Sequence, residues 1–332
     1  MSGSFPAPDF FTPYSRQLSA RGFAGVRVRK VPLHGGFTCP NLDGTKARGG
    51  CTYCDNRSFS PVAGSRTVPV ARQLAEGATY MRDHIGAERF IAYFQAFSGT
   101  YAPVERLEAL YQEALAQPGV VGLAIGTRPD CVTPAVADLL DAFSRRTFVT
   151  LELGLQSAFD ETLRRINRAH TFAEFAATMD LCAGRGFDLC VHLILGLPGE
   201  GPEHYRATAR ALAPWRYQSV KIHPLHVVRG TRLATEYAQG AYTPLTQAEY
   251  VAGLADVLEH IPADVGVQRF TADAPPSLLV APLWCRDKNG VLNALKAELG
   301  GRGTYQGFRA GHDEEAPAAR TGERPPPGTG IA

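Results

Sequence analysis

Six short apolar segments rich in Val, Ile, Leu and Phe recur along the chain, and a stretch with helical spacing of apolar residues follows each of them. Strands that alternate with helices pair in parallel through right-handed crossovers, so this pattern predicts an α/β fold. The nearly continuous apolar character of the segments is typical of a sheet that is covered on both faces. The predicted strands are Val26–Leu33, Arg89–Gln95, Val120–Gly126, Phe148–Gly154, Leu189–Gly196 and Ser219–Leu225.

Six strand–helix repeats are fewer than a closed (β/α)8 barrel contains. The pattern is therefore compatible with two architectures, a partial barrel and an open doubly wound sheet. In either architecture the functional loops follow the carboxyl ends of the strands. The predicted helices are Val68–Ile85, Val104–Ala116, Pro134–Arg145, Phe172–Gly186, Glu203–Leu212 and Gln247–His260.

The repeat pattern stops after about residue 262. Gln268–Pro282 is rich in Pro and irregular, Asp287–Leu299 is predicted as one more amphipathic helix, and the chain from Gly311 onward is polar with many Pro and Gly residues. We therefore predict an N-terminal segment (1–19), a barrel domain (20–262), a C-terminal extension (263–310) that packs on the barrel, and a disordered tail (311–332).

The composition of the 332-residue chain, 45% hydrophobic and 20% charged, is typical of a globular protein. The formal net charge is +2, so the overall charge argues neither for nor against nucleic acid. No apolar run approaches the roughly 20 residues of a membrane helix, and the N-terminus lacks the basic start and apolar stretch of a signal peptide. We predict a cytoplasmic protein with no membrane partner.

Three cysteines, Cys39, Cys51 and Cys54, lie in one loop after the first predicted strand. Five of the eleven residues between Cys39 and Cys51 are Gly, Asp or Asn, so the loop can fold back and expose N–H groups. Three thiolates are one fewer than a closed zinc site or a fully ligated cluster needs, so a metal centre here keeps an open position. The other cysteines are scattered, and each is predicted to be a small buried residue: Cys131, Cys182, Cys190 and Cys285.

The residues alone allow three interpretations of the loop. Cys51-Thr-Tyr-Cys54 has the spacing of a redox disulfide, although such pairs lie at a helix N-terminus in a much smaller fold. Half of a zinc site would need a distant fourth ligand, for which His34 is the nearest candidate. The favoured interpretation is a [4Fe–4S] cluster with three cysteine ligands, whose fourth iron chelates a small molecule.

Further segments extend the pattern beyond the cysteine spacing: Thr38–Phe59, Phe94–Pro103, Gly126–Asp130, Leu151–Ser157, Arg164–Thr171 and His192–Glu200. With them, residues 20–310 resemble the radical S-adenosylmethionine superfamily, and in particular the YhcC-type proteins, which are related to the radical domain of the elongator catalytic subunit. The resemblance implies a partial (β/α)6 TIM-like barrel with a small C-terminal extension.

The resemblance also implies cofactors and a reaction. A [4Fe–4S] cluster on Cys39, Cys51 and Cys54 would bind S-adenosylmethionine, and an electron donor such as flavodoxin or ferredoxin would reduce it. Reductive cleavage would release a 5′-deoxyadenosyl radical that abstracts hydrogen from a substrate, either RNA or a small metabolite. The alternative function is a non-catalytic iron–sulfur or zinc-binding sensor on the same barrel.

Several residues are implied around S-adenosylmethionine. Tyr53 fills the aromatic position before the last cysteine, and Arg168 resembles an arginine that pairs bidentately with the cofactor carboxylate. Gln95 and Ser98 stand where relatives use a Gly-Gly-Glu segment to receive the amino group, here without the Glu. The positions implied for the ribose hydroxyls and the adenine edge are Glu152, Gln156, Ile194 and Gly196.

Period-two alternation along the strands predicts which side chains face a substrate inside the barrel. The candidates come from the ends of the third strand and from the fifth and sixth strands. Several basic groups around one mouth predict an anionic substrate, for which nucleic acid phosphate is one source. The candidate substrate residues are Thr127, Arg128, Asp130, His192, Lys221 and His223.

Overall fold

The computed structural model describes residues 10–271 and 274–310. Residues 1–9 of the predicted N-terminal segment and the predicted disordered tail (311–332) lie outside the described residues. Within the described part of the chain, no helix combines the length and the apolar character that a membrane crossing needs.

Seven parallel strands form one sheet in which each strand pairs with its neighbour in sequence order, skipping only the short β7. This order curls into a partial barrel and excludes the doubly wound alternative, in which the strand order reverses. Strands β7 and β9 form a separate antiparallel pair. The strands are β1 (Val28–Leu33), β2 (Arg89–Phe94), β3 (Val120–Thr127), β4 (Phe148–Gln156), β5 (Asp188–Leu195), β6 (Ser219–Pro224), β7 (Val227–Val228), β8 (Gly266–Arg269) and β9 (Leu279–Ala281).

Helices connect the strands and cover the outer face of the sheet. They are α1 (Tyr14–Leu18), α2 (Val70–Ile85), α3 (Val104–Leu115), α4 (Pro134–Ser144), α5 (Asp160–Arg165), α6 (Phe172–Cys182), α7 (Pro202–Arg210), α8 (Arg232–Ala238), α9 (Gln247–His260) and α10 (Lys288–Arg302). A π-helical turn follows α1, and three short 3₁₀ turns complete the set: Ser19–Phe23, Asn56–Ser58, Pro129–Cys131 and Leu283–Arg286.

The predicted strands and helices are confirmed, with shifts of a few residues at their ends. The largest shift is in α6, which was predicted to reach Gly186 but ends at Cys182, because Ala183 takes an extended conformation and Gly184 a left-handed one. The start of α6 is well defined, since the Thr171 hydroxyl accepts from the Glu174 N–H and the Glu174 carboxylate accepts from the Thr171 N–H.

Strand β8 was not predicted, because its four residues are too short to show alternation beside the Pro-rich stretch. It pairs with β6, with Gly266 beside Ser219 and Arg269 beside Lys221. On its other side the Val267 N–H donates to the Thr12 carbonyl at 2.8 Å. The N-terminal residues thus cover part of an edge that would otherwise be open.

Alternation gives the sheet two different faces. Val31, Leu151, Val191 and Val220 lie in the main apolar core between the sheet and the helices. Burial of each such side chain stabilises the fold by about 1.5–3 kcal/mol. The intervening residues face the inside of the barrel and include Lys30, Glu152, His192 and Lys221, so charged and polar groups collect on the inner face.

Candidate functional site

A cavity of about 240 Å³ lies on the inner face, at the ends of strands β2 to β6 and under the three-cysteine loop. It brings together all three loop cysteines and most of the other predicted site residues. Gly196 and Asp130 are predicted site residues that do not line it. Those that do are Tyr53, Gln95, Ser98, Thr127, Arg128, Glu152, Gln156, Arg168, His192, Ile194, Lys221 and His223.

A segment after α5 holds the cysteine loop in place. The Asn167 side chain donates to the carbonyls of Arg48 at 3.0 Å and Gly50 at 2.7 Å. Asn167 itself has φ of 52°, a left-handed conformation that asparagine tolerates better than most residues. The Thr52 N–H donates to the Ile166 carbonyl at 3.0 Å. The loop conformation therefore depends on residues far along the chain.

The three loop cysteines are free thiols, and polar groups surround their sulfurs. The Asn41 amide lies 3.5 Å from the Sγ atom of Cys51, and the Asn56 amide lies 4.0 Å from that of Cys54. N–H donors beside cluster sulfurs tune the reduction potential of an iron–sulfur centre. The other four cysteines are buried, as predicted: Cys131, Cys182, Cys190 and Cys285.

Arg168 is a buried cation beside these thiols, with 8% of its surface exposed. Its Nη1 donates to the Cys51 sulfur at 3.7 Å and its Nη2 to the Gly154 carbonyl at 2.9 Å, while Nε has no partner. Among the described residues, no carboxylate lies within ion-pair distance of it. A Cβ atom at position 154 would lie 2.7 Å from Nη2, so a larger residue there would displace the guanidinium.

These observations test whether the site fits an iron–sulfur cluster and S-adenosylmethionine. A buried guanidinium is costly without an anion nearby. A thiolate-ligated cluster and a cofactor carboxylate are both anions, and three thiols leave one iron open. The residues fit both groups. His34, the candidate fourth zinc ligand, does not line the cavity, and its Nδ1 accepts from the Gly36 N–H at 2.9 Å.

Glu152 is the centre of a buried charge cluster on the floor of the cavity. Its Oε1 accepts from Lys30 Nζ at 2.5 Å, while Oε2 accepts from Tyr93 at 2.6 Å, bonds His192 Nε2 at 3.0 Å and contacts Lys221 Nζ. Burial alone would raise the pKa of Glu152, but the two lysines and His192 hold it well below its usual range.

Both carboxylate oxygens of Glu152 are therefore already occupied. This environment differs from that of the ribose ligand expected from the sequence, because Glu152 lies in the middle of β4 and not at its end. Burial lowers the pKa of His192 to about 4, so its imidazole is neutral at pH 7.

Arg128 and Asp130 form a buried support under the Arg168 segment. The Arg128 guanidinium binds both Asp130 oxygens at 3.0 Å and donates to the Arg168 carbonyl at 2.7 Å. The Arg128 guanidinium and the Asp130 carboxylate therefore both have hydrogen-bond partners within the protein. Gly196 is also enclosed, since its N–H donates to the Tyr205 hydroxyl at 3.2 Å and its carbonyl accepts from the Tyr242 hydroxyl at 2.8 Å.

The loop after β2 is tied to the cysteine loop. The Gln95 side chain donates to the Phe59 carbonyl at 3.0 Å, and the Ser98 N–H donates to the Thr38 carbonyl at 3.2 Å. The Phe97 N–H donates to Asn56 at 2.8 Å from a left-handed backbone. The two loops therefore form one wall of the cavity.

Several polar residues of the site were not predicted from the sequence. Lys30 and Tyr93 were detectable in principle, because they occupy inward positions of β1 and β2 by alternation. The others carried no signal, since their roles arise from contacts in the folded chain. The unpredicted residues include Lys30, Asn41, Asn56, Tyr93, Asn167 and Arg269.

Comparisons with known proteins show to which family the chain is similar. The family model described as "Radical SAM superfamily" matches residues 44–212, and "Radical_SAM C-terminal domain" matches residues 217–300. Protein YhcC of Escherichia coli (strain K12) is 43% identical over 80% of this chain and 84% of its own length. The tRNA uridine(34) acetyltransferase of Dehalococcoides mccartyi is 30% identical over 55% of this chain and 40% of its own length.

A solved structure supports the fold. The archaeal Methanocaldococcus infernus Elp3, with an N-terminal deletion, superimposes with a TM-score of 0.65 and 18% identity. The superposition covers 85% of this chain and 64% of that chain.

Proposed function

This chain belongs to the radical S-adenosylmethionine superfamily, and from that premise we propose that Cys39, Cys51 and Cys54 hold its [4Fe–4S] cluster in the cavity. Members of the family are enzymes that use such a cluster and S-adenosylmethionine, so the chain is an enzyme with these cofactors. One observation carries the proposal: three free thiols of one loop and a buried guanidinium with no carboxylate partner among the described residues line the same cavity.

Residues around the cysteine loop are proposed to bind S-adenosylmethionine. Arg168 pairs with its carboxylate, because a planar guanidinium holds such a group in two hydrogen bonds. Ser98 and the carbonyls of the loop after β2 receive its amino group, with Gln95 bracing that loop. Tyr53 and Ile194 line the apolar part of the cavity and pack against the adenine. Gly196 shapes the backbone behind Ile194.

Gln156 is proposed to bind the ribose hydroxyls. It lines the cavity at the end of β4, whereas both oxygens of Glu152 are occupied. We therefore place Glu152 among the residues that fix the floor of the cavity. Its carboxylate orients His192 and compensates the charge of Lys221 and Lys30.

The chemistry that the cluster and S-adenosylmethionine supply when bound is reductive cleavage of the sulfonium bond, followed by abstraction of a hydrogen atom. The protein's residues position the substrate beside this centre. Thr127 lines the cavity and shares a hydrogen bond of 2.7 Å with Thr100, which fixes the end of β3. The neutral His192 offers a hydrogen-bonding group without adding charge. An external reductant is required, and we propose flavodoxin or ferredoxin.

Two substrate classes were predicted, and one observation supports each of them. The relative that acts on tRNA makes RNA one candidate. The cavity volume of about 240 Å³ lies below the roughly 300–1,000 Å³ of typical small-molecule pockets, which favours a small molecule or one extruded group.

The decisive experiment is anaerobic reconstitution with iron and sulfide, followed by dithionite and S-adenosylmethionine. We expect release of 5′-deoxyadenosine and charge-transfer absorbance near roughly 400 nm. Alanine variants of Cys39, Cys51 and Cys54 should lose both signals, while Cys182→Ala, a buried cysteine on α6, should keep them. An intact four-iron cluster without any 5′-deoxyadenosine would contradict catalysis, and a full cluster in Cys51→Ala would contradict the ligand assignment.

A further inference from the structure

The charge of the cavity wall is strongly one-sided. Glu152 is the only acidic residue among the described residues that line it, whereas the basic residues include arginines, a lysine and three histidines. Glu152 already compensates Lys30 and Lys221 together, so one carboxylate faces two ammonium groups. The Arg128 charge is matched outside the cavity by Asp130. The other cationic side chains of the lining are Arg168 and Arg269, and neither has a carboxylate partner among the described residues.

Arg269 is the arginine at the end of β8, on the inner side of the sheet beside Lys221. Within residues 10–271 and 274–310, no carboxylate lies within ion-pair distance of its guanidinium, and no side-chain hydrogen bond engages it. Its neighbour His223 also lines the cavity, and the Nδ1 atom of His223 is buried without a hydrogen-bond partner in the same described residues. The cavity thus holds a buried polar atom without a partner, His223 Nδ1, beside a half-buried guanidinium that no carboxylate of the described residues pairs.

Burial lowers the pKa of His223, and Arg269, His192, Lys221 and His226 lower it further. The His223 imidazole is therefore neutral and surrounded by positive charge. A neutral imidazole can donate one hydrogen bond to an anion without raising the local charge. An anion bound here would be attracted by Arg269 and Lys221 together.

The position of Arg269 separates it from the cofactor side of the cavity. Arg168 contacts β4 through the Gly154 carbonyl, and β8 lies three strands along the sheet from β4. Neighbouring strands are about 4.8 Å apart, so the two arginines attach to the sheet at points separated by at most about 14 Å. One cavity therefore has two cationic ends. If Arg168 binds the cofactor carboxylate, the Arg269 guanidinium is left to bind a second anion.

We propose that Arg269 and His223 form an anion subsite that binds a carboxylate or phosphate group carried by a small-molecule substrate. The inference rests on the proposed function, because it assigns the Arg168 end to S-adenosylmethionine. The guanidinium binds two oxygens of the anion, His223 donates a further hydrogen bond, and Lys221 adds long-range attraction. The anionic group anchors the substrate at the β8 side and directs its reactive carbon toward the cysteine loop.

The test uses the full chain with cluster and S-adenosylmethionine loaded, titrated calorimetrically with inorganic phosphate, with acetate and with uncharged acetamide. We expect the protein to bind phosphate or acetate but not acetamide, and the stronger of the two anions identifies the substrate group. Arg269→Met should weaken this binding about tenfold or more, because it removes charge-assisted hydrogen bonds. Arg269→Lys should restore part of the affinity, and Arg89→Met, an exposed arginine at the start of β2, should change nothing.

The outcomes separate this inference from the proposed function. Equal anion binding by the unmodified protein and Arg269→Met, or no anion binding at all, would overturn the subsite even if 5′-deoxyadenosine is formed. Anion binding that depends on Arg269 would support the subsite even if no 5′-deoxyadenosine appears, and only the proposed function would then fail. An RNA oligonucleotide that binds through Arg269 when neither small anion does would overturn the small-molecule assignment.

Discussion

The Nη1 atom of Arg168 lies 3.7 Å from the Sγ atom of Cys51, although the two residues are 117 positions apart in the chain. This contact joins the loop after β1 to the segment after α5. It places a permanent positive charge next to a thiol that we assign to the cluster, and the Arg128 and Asp130 pair supports it from below. In the proposed function, the cluster site and the cofactor site therefore share Arg168.

Substitution of Arg168 should separate cofactor binding from cluster binding. We expect Arg168→Met to keep its iron content but to bind S-adenosylmethionine about tenfold or more weakly, because charge-assisted hydrogen bonds are lost. Arg168→Lys should recover only part of the affinity, since an ammonium group cannot bind a carboxylate in the planar bidentate manner. Calorimetric titration of the reconstituted protein with S-adenosylmethionine measures this affinity. Arg164→Met, on the exposed side of α5, is the control, and equal affinity in all three variants would refute the assignment.

Asn167 should control how firmly the cysteine loop retains iron. Asn167→Ala removes two hydrogen bonds to the loop, each worth about 1 kcal/mol, and places alanine in a left-handed conformation. Asn167→Gly removes the same bonds without the backbone strain. We expect both variants to lose iron to a chelator faster than the unmodified protein, as followed by absorbance. If glycine retains iron as well as asparagine does, the side-chain hydrogen bonds are not the cause.

Removal of the Glu152 charge should destabilise the fold. Glu152→Gln leaves the buried Lys221 without its carboxylate, and breaking a buried pair in this way costs about 3–5 kcal/mol. The midpoint of urea unfolding should fall accordingly. The double variant Glu152→Gln, Lys221→Met removes both charges and should regain much of the loss. A double variant that is no more stable than Glu152→Gln would show that the ion pair is not the source of the effect.

The C-terminal extension (263–310) should detach from the barrel at acidic pH. We propose that it is held partly by Glu259 of α9, which accepts from Thr304 at 2.9 Å and from Arg309 at 2.7 Å. Burial raises the pKa of Glu259, but hydrogen bonds from Arg309, Thr304 and Arg302 outweigh burial and lower it overall.

Because the folded pKa is lower, the unfolded state binds more protons in this range and stability rises with pH. The contribution of Glu259 is complete above the usual glutamate pKa of about 4.3 and is lost as pH falls through the folded value. The protection of α10 against hydrogen exchange, taken relative to the intrinsic exchange rate at each pH, should therefore fall below about pH 4. Glu259→Gln should show the lower protection already at neutral pH, whereas the exposed Glu108→Gln should not. Protection of α10 that is independent of pH would count against this anchor.

Local patterns in the sequence were sufficient for the order of the strands and helices and for the cysteine loop. Six of the seven sheet strands carry their own apolar signal, and a strand–helix alternation has few ways to fold. The three cysteines lie within one loop, so their proximity needs no tertiary information. Period two likewise predicted that His192 and Lys221 face inward.

Other features were decided only by the tertiary structure. The four-residue β8 shows no pattern of its own, and its pairing with β6 is what places Arg269 beside Lys221. Glu152 was expected to bind the ribose hydroxyls of the cofactor. Its side chain is instead held by Lys30 and Lys221, which are far from it in sequence. Contacts across a curved sheet depend on strand register and on the direction of each side chain. Neither strand register nor side-chain direction is encoded locally. The sequence by itself therefore determined the three-cysteine loop, whereas the fold decided which charges surround it.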